Sequence, residues 1–261
     1  MAAPVLHKLG PFRARWLSGE RLVRVYVPHG AAPGRSGAEP RPVLFMFDGQ
    51  NIFHDDPSFS GGWHLHRTVQ DLAARGRPAP VIVGIDHGGP RRIDELSPFR
   101  CRMSKGQLPP LLTWMTKTLI PRIRSEFPVR TDVAGTAIGG SSLGGLAALH
   151  AHFAHPEVFG AALVMSPSLW LARGKMFRWL PKQPRPWTTR LYVDAGAREP
   201  RMLQDAAKLV HQLRARGWGD DELRWNPDPH GGHHESDWGR RAPGALEFLF
   251  GHLRGAHEQA A

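Results

Sequence analysis

Residues 21–28 (Arg-Leu-Val-Arg-Val-Tyr-Val-Pro) alternate apolar and polar side chains and are rich in β-branched residues, the pattern of a half-buried strand, expected to be antiparallel. Residues 43–47 are a continuous apolar run that stops at Asp48-Gly49-Gln50-Asn51, and residues 81–85 form a second run. Both suit strands buried on two faces. A helix is predicted between them over 65–75. Leu112, Met115, Leu119 and Ile123 recur at helical spacing within residues 111–127, where Pro121 is expected to introduce a kink. Beyond a strand ending at Ile138, the pattern predicts helix 143–153, strands 161–165 and 190–193, helix 202–214, a strand near 223–226 and a last helix over 243–253. Strands that alternate with helices in this way imply an α/β fold, with a mostly parallel central sheet and helices on both faces. Functional residues in such folds gather at the carboxyl ends of the strands.

Two stretches fall outside this periodicity. Residues 31–41, rich in Gly, Pro and Ala, read as a surface loop. Residues 170–189, with Arg173, Lys175, Trp179, Pro181, Pro184, Pro186 and Trp187, follow neither period and are expected to form a cap beside the functional site. The tail from Arg254 reads as frayed.

Composition narrows the class. A chain of 261 residues with 41% apolar and 22% charged residues can close one core, and no shift in character divides it, so a single domain over 1–261 is expected. No apolar run approaches the roughly 18 residues that cross a bilayer, so no membrane partner is expected. The N-terminus lacks the basic and apolar regions of a secretory signal, and the single cysteine, Cys101, excludes an intrachain disulfide; a cytoplasmic location is the expectation. The net charge of +11 raises the question of nucleic acid. The arginines, however, are scattered from Arg13 to Arg254, and neither an RNA-binding motif nor a helix-turn-helix accompanies them. They read as a solvated surface, with no nucleic-acid partner expected.

Candidate chemistry centres on Gly139-Gly140-Ser141-Ser142-Leu143-Gly144-Gly145. A G-x-S-x-G match is only moderately specific in a chain with 29 glycines, but this one falls where a predicted strand meets a predicted helix, the setting of a nucleophile elbow. The turn is so tight that side chains two positions on either side of Ser142 would collide with backbone, hence glycine. Ser141, the competing hydroxyl, lacks the symmetric glycine spacing. Ser142 would stand at a helix N-terminus, where the dipole and free N–H groups favour developing negative charge. A serine of this kind needs a base. His230, His233 and His234 form the most suggestive cluster, in a Gly-rich loop after the last predicted strand. A metal site is the rival account of such a cluster. No H-E-x-x-H or Cys/His pairing accompanies it, and neither metal nor cofactor is expected. His150, His152 and His155 read as surface or packing residues. The acid should lie between serine and histidine in the chain; Asp194, Glu199 and Asp205 are the candidates, with Glu199 preferred because it falls in a loop. One oxyanion donor is the N–H of Leu143, and the second is sought in the loop after an early strand, where Gly49 would let the N–H of Gln50 turn inward.

With these residues placed, the chain resembles the esterase branch of the α/β hydrolases that includes esterase D-like, enterochelin-esterase-like, feruloyl-esterase and mycolyltransferase-like enzymes. The likeness covers about residues 20–250. It rests on Phe47-Asp-Gly-Gln-Asn-Ile-Phe53, Val83-Gly-Ile-Asp-His-Gly-Gly-Pro-Arg-Arg-Ile-Asp-Glu95, the 138–145 stretch, Gly196-Ala-Arg-Glu199 and His233-His-Glu-Ser-Asp-Trp238, in family order. The resemblance implies an α/β-hydrolase fold. It selects His233 through the H-x-E-x-x-W pattern, Glu199 through G-x-x-E, and supports Gln50 as an oxyanion donor. Some relatives work as a Ser-His dyad, so the acid is the least fixed member. Arg91-Arg92-Ile-Asp-Glu95 is either a family motif or an ion pair that ties down a loop, and Trp63 either lines a pocket or packs in the core. The expected activity is hydrolysis of a small-molecule carboxylic ester through an acyl-enzyme on a Ser142–His233–Glu199 triad. Acyl transfer to a sugar or lipid alcohol by the same residues, and a non-catalytic binding protein on a hydrolase scaffold, are the alternatives.

Overall fold

The computed structural model describes residues 5–13, 19–28, 40–58 and 60–253. Most of the loop expected at 31–41, residues 1–4 of the N-terminus and the tail from residue 254 lie outside the described residues. Eight strands form one sheet in the order β1-β2-β4-β3-β5-β6-β7-β8. β1 (Val5–Phe12), β2 (Arg21–Val27) and β4 (Val81–Ile85) pair antiparallel in turn, so β2 alone runs against the rest. β3 (Val43–Phe47), β5 (Thr136–Ser141), β6 (Ala161–Met165), β7 (Arg190–Gly196) and β8 (Leu223–Asp228) continue the sheet in parallel from β4. Every residue of β3, β4, β5 and β6 is buried, which is why these strands read as apolar or small-residue runs without alternation.

The alternate sides of the strands feed two cores. Val43, Phe45 and Phe47 of β3 face one core, together with Val81, Val83 and Ile85 of β4. That core is covered by α3 (Leu108–Trp114), α4 (Ile120–Glu126), α5 (Leu143–Ala154), α6 (Leu171–Trp179) and α7 (Pro200–Arg214). Leu44 and Met46 face the other, covered by α1 (Leu65–Ala74) and α8 (Glu235–Phe250). The short helix α2 (Arg92–Leu96) follows β4. An α/β-hydrolase architecture results, with a mostly parallel sheet and helices on both faces. Among the described residues no helix is long and apolar enough to cross a membrane.

The structure corrects several boundaries. β1 escapes the sequence pattern because it is an edge strand with no buried side chain and a register shift between Leu9 and Phe12. β5 runs to Ser141 rather than ending at Ile138, since its last residues are glycine and serine, poor strand signals that tertiary contact overrides. α8 begins at Glu235, not near Pro243; a proline normally marks a helix start, yet here it lies inside the helix. The bend expected at Pro121 is absorbed by a π-helical turn over Met115–Leu119, after which Pro121 occupies the first turn of α4. The stretch expected as a cap is partly helical: Leu171, Met176 and Leu180 anchor α6 and the turn after it in the core. Its period is broken by Ala172, Arg173 and Gly174, which take left-handed φ values of 52°, 57° and 66°.

His152, on α5, is fully buried. Its Nδ1–H donates to the Phe159 carbonyl at 2.9 Å and its Nε2 accepts from the Thr189 hydroxyl at 2.8 Å, an arrangement suited to the neutral ring. Burial pushes its pKa down from 6.5 to about 4. The unfolded chain therefore takes up a proton below pH ~6.5 that the folded chain refuses until pH ~4, so stability falls as pH drops through that window. Between pH 7 and pH 5 this one ring removes about 2 kcal/mol. Urea unfolding at both pH values is expected to show a loss smaller by about that amount in His152→Gln; an equal loss in both proteins would clear His152 of the effect.

Candidate active site

The carboxyl ends of five adjacent parallel strands meet at one edge of the sheet: β3 leads into Asp48 and Gln50, β5 into Ser142, β6 into Ser166 and Ser168, β7 into Glu199, and β8 into the loop carrying His233. Ser142 has φ 56° and ψ −118°, a strained conformation for a side chain that is not glycine. Its surroundings enforce it. A Cβ on Gly140 would lie 2.7 Å from the backbone of Gly144, and one on Gly145 would lie 2.8 Å from the carbonyl oxygen of Met165. At Gly140 the clash with backbone is the one the sequence implies, whereas a Cβ on Gly144 would meet side chains, Asp48 Oδ2 at 3.1 Å and Phe47 Cβ at 3.3 Å. The Ser142 N–H donates to Met165 O at 3.0 Å, and its carbonyl accepts from Ser168 N at 2.9 Å and Leu146 N at 3.1 Å.

The sequence-selected residues come together in a hydrogen-bonded line. Ser142 Oγ is 3.0 Å from His233 Nε2, and His233 Nδ1 is 2.5 Å from Glu199 Oε1. With Nδ1–H donating to the carboxylate, Nε2 is left to accept the Ser142 proton. Glu199 is buried, and its Oε2 accepts from Ser166 Oγ and from the Gly196 N–H, both at 2.8 Å. Burial alone would raise this carboxyl; the bonds from His233, Ser166 and Gly196 outweigh it and hold the pKa below the ordinary glutamate value. Glu199 does not swing in a loop, as the sequence suggested, but directly precedes α7, where Pro200 is the first helical residue and limits the backbone before it. Asp194 lies inside β7, fully buried and turned to Arg241, and Asp205 lies on α7 beside a separate cavity; neither contacts His233. His234 caps α8 through its Nδ1, which accepts from Ser236 N.

Leu143 is the first residue of α5, and Gln50 sits in a one-turn 3-10 helix, Gly49–Asn51, so both N–H groups belong to first turns that lack intrahelical acceptors. The turn is fixed from below. Asp48, in a left-handed conformation, receives Arg92 Nε at 2.6 Å and Nη2 at 2.7 Å. The Gln50 side chain accepts from His87 N at 3.1 Å. Gly49 is required because its Cβ would fall 2.5 Å from the backbone of Gly84. Arg92 thus ties down a loop by an ion pair, and Glu95 does likewise with Arg21. Among the described residues no group of three or more His, Cys, Asp or Glu side chains could hold a metal ion.

A comparison with protein families matches residues 15–249 to the esterase family described as "Putative esterase". The chain belongs to this esterase family. Its class is that of the carboxylic-ester hydrolases. Over 218 residues it is 26% identical to a siderophore triacetylfusarinine C esterase of Aspergillus fumigatus, covering 78% of this chain and 72% of that one. Over 212 residues it is 30% identical to an iron(III) enterobactin esterase of Escherichia coli, covering 74% of this chain but 48% of the relative. The structure of a ferric enterobactin esterase from Salmonella typhimurium superposes with a TM-score of 0.77 at 23% identity, over 97% of this chain and 59% of the other, a likeness of fold. The esterase thus spans about half the length of the enterobactin esterases it matches.

Several residues around the esterase's serine carry no sequence signal of their own. Ser168 Oγ stands 3.2 Å from Ser142 Oγ. Ser166 donates to Glu199 and accepts from Trp238 Nε1 at 3.0 Å and Arg241 Nη2 at 3.4 Å, which fills its hydrogen-bonding capacity. Trp238 also sets its ring edge-on to His233 at 4.9 Å and packs against Trp63, which is both a buried core residue and part of the lining of a cavity of about 400 Å³ beside His234. Glu235 accepts from Asn51 Nδ2 at 3.3 Å and from Ser60, joining the His233 loop to the Gln50 loop. These contacts explain the spacing of H-x-E-x-x-W in physical terms. Beneath them Arg241 bridges Asp194 and Asp228 at 2.8 and 3.0 Å. Burial raises the Asp194 carboxyl to about 7 even against the pull of Arg241. Arg241→Met leaves Asp194 buried without its cation, while Asp228 keeps Arg240 at 2.6 Å, and is expected to cost about 3 kcal/mol in urea unfolding. A loss under about 1 kcal/mol would mean that the bridge is not needed to hold α8.

Proposed function

We propose that this esterase hydrolyses its substrate through a Ser142–His233–Glu199 triad and an acyl-enzyme, acting as one catalytic domain. The observation that carries the reading is the unbroken line from Ser142 Oγ through His233 to Glu199, at 3.0 and 2.5 Å. Ser142 Oγ attacks the ester carbonyl while its proton passes to His233 Nε2; Glu199 keeps the ring oriented and stabilises the imidazolium. The N–H groups of Gln50 and Leu143 bind the oxyanion. His233 then protonates the departing alcohol, accepts a proton from water in the second half-reaction, and returns it to Ser142 as the acid leaves. Because the Ser142 hydroxyl donates to His233, its oxygen remains free to accept from Ser168, which holds the nucleophile's rotamer. The His233 side chain is 39% exposed, so water can reach it for the second half-reaction. The Aspergillus and Escherichia relatives, named as siderophore and enterobactin esterases, support a siderophore-type ester as the substrate class.

Turnover of a short para-nitrophenyl ester, with labelling by a fluorophosphonate probe, tests the triad. Ser142→Ala is expected to abolish labelling and lower kcat on the order of a thousandfold or more, His233→Ala similarly, and Glu199→Gln less. His234→Ala should keep turnover and lose only its cap, about 1 kcal/mol of stability. Full activity in Ser142→Ala would discard the nucleophile, and loss confined to His234→Ala would move the base.

A further inference from the structure

A cavity of about 430 Å³ lies between α6 and α7. Four cations line it, Arg173 and Arg178 from α6 and Arg201 and Lys208 from α7, against one carboxylate, Asp205. Among the described residues none of the four has a carboxylate within 4.0 Å, whereas many other arginines of this chain are paired, Arg92, Arg185, Arg214, Arg240 and Arg241 among them. Two of the cations instead lie over aromatic faces: Arg201 over Trp170 at 5.5 Å and Lys208 over Phe177 at 4.6 Å. Trp170 and Phe177 therefore hold two of the charges in place while leaving their hydrogen-bond donors unspent on carboxylates. The α6 wall further contains the three successive left-handed residues Ala172 to Gly174, a conformation that is costly for Ala172 and Arg173.

The chain fixes where this cavity lies. Trp170 is two residues beyond Ser168, whose hydroxyl touches Ser142, and Arg201 is two residues beyond Glu199. Two residues span at most about 7 Å, so one wall of the cavity starts near Ser168, the neighbour of Ser142, and the other near Glu199. Guanidinium forks match carboxylate or phosphate oxygens, and a volume of this size takes a substrate group rather than a lone ion.

We propose that this cavity is a specificity subsite for an anionic part of the ester substrate, a group bearing carboxylate or comparable oxyanions held across Arg173, Arg178, Arg201 and Lys208. The proposal rests on the esterase reading above for what the bound group does, and on the cavity alone for binding. Two matched pairs of esters test it: para-nitrophenyl butyrate against para-nitrophenyl hemisuccinate places the charge on the acyl side, and phenyl acetate against acetylated hydroxybenzoate places it on the alcohol side. At least one pair is expected to favour the anionic ester by roughly tenfold in kcat/KM, chiefly through KM, with the preference fading in salt. In an Arg173→Gln, Arg201→Gln, Lys208→Gln triple variant that anionic-to-neutral ratio should collapse toward one. Calorimetric titration with tricarballylate, a tricarboxylate that is not an ester, should show binding to the wild-type chain that weakens roughly tenfold or more in the variant. Equal rates within both pairs, or a preference and a tricarballylate affinity that survive the triple substitution, would overturn the subsite. If no ester is turned over at all, that failure falls on the hydrolase reading, and the titration still decides the subsite.

Discussion

The position of His233 depends on a cation that never touches it. Arg241, buried in α8, reaches Asp194 in β7 and Asp228 at the end of β8, and so clamps the last helix to the last two strands. The same helix carries Trp238, which places its N–H on Ser166 and its ring against His233. Ser166 in turn holds the oxygen of Glu199 that His233 leaves free. A buried ion pair of this kind gives little net stability relative to a well-packed apolar substitute. Its value here is directional: it selects one placement of α8, and with it one placement of the imidazole relative to β5.

Serine and histidine approach the same point by opposite means. The Ser142 conformation is enforced locally, by a turn in which a Cβ on Gly140 or Gly145 would strike backbone. The His233 conformation is enforced at long range, through Glu235 on the Gln50 loop, Trp238 on Ser166 and Glu199 on Nδ1. Local strain on one side and a distributed network on the other let the two side chains meet without either element bending to reach the other.

That difference governs how much could be read from the chain. The elbow was legible because its cause is local: glycines on both sides of a serine, between a strand and a helix. The buried strands β3, β4 and β6 were legible for the same reason, as apolar runs of the right length. Residue type and chain order admit both Asp194 and Glu199; what favours Glu199 is its place beyond the strand and then a family pattern. The physical separation of the two is a tertiary fact, Asp194 being claimed by Arg241. Ser166, Ser168 and Arg241 were not legible at all, because a serine after a strand and an arginine in a helix look the same whether or not a distant residue answers them. Elements failed where a single residue type carried a misleading local signal, Pro243 inside α8 and the glycines that close β5.

The edge strand β1 has a consequence for the behaviour of the molecule in concentrated solution. An open sheet edge ordinarily invites a strand from a neighbouring chain. β1 spoils the invitation in three ways: a register shift between Leu9 and Phe12, Pro11 with no N–H to offer, and the charge of the exposed Lys8. The sequence that hid this strand from pattern reading is thus the same sequence that makes it a poor template for cross-chain β-pairing.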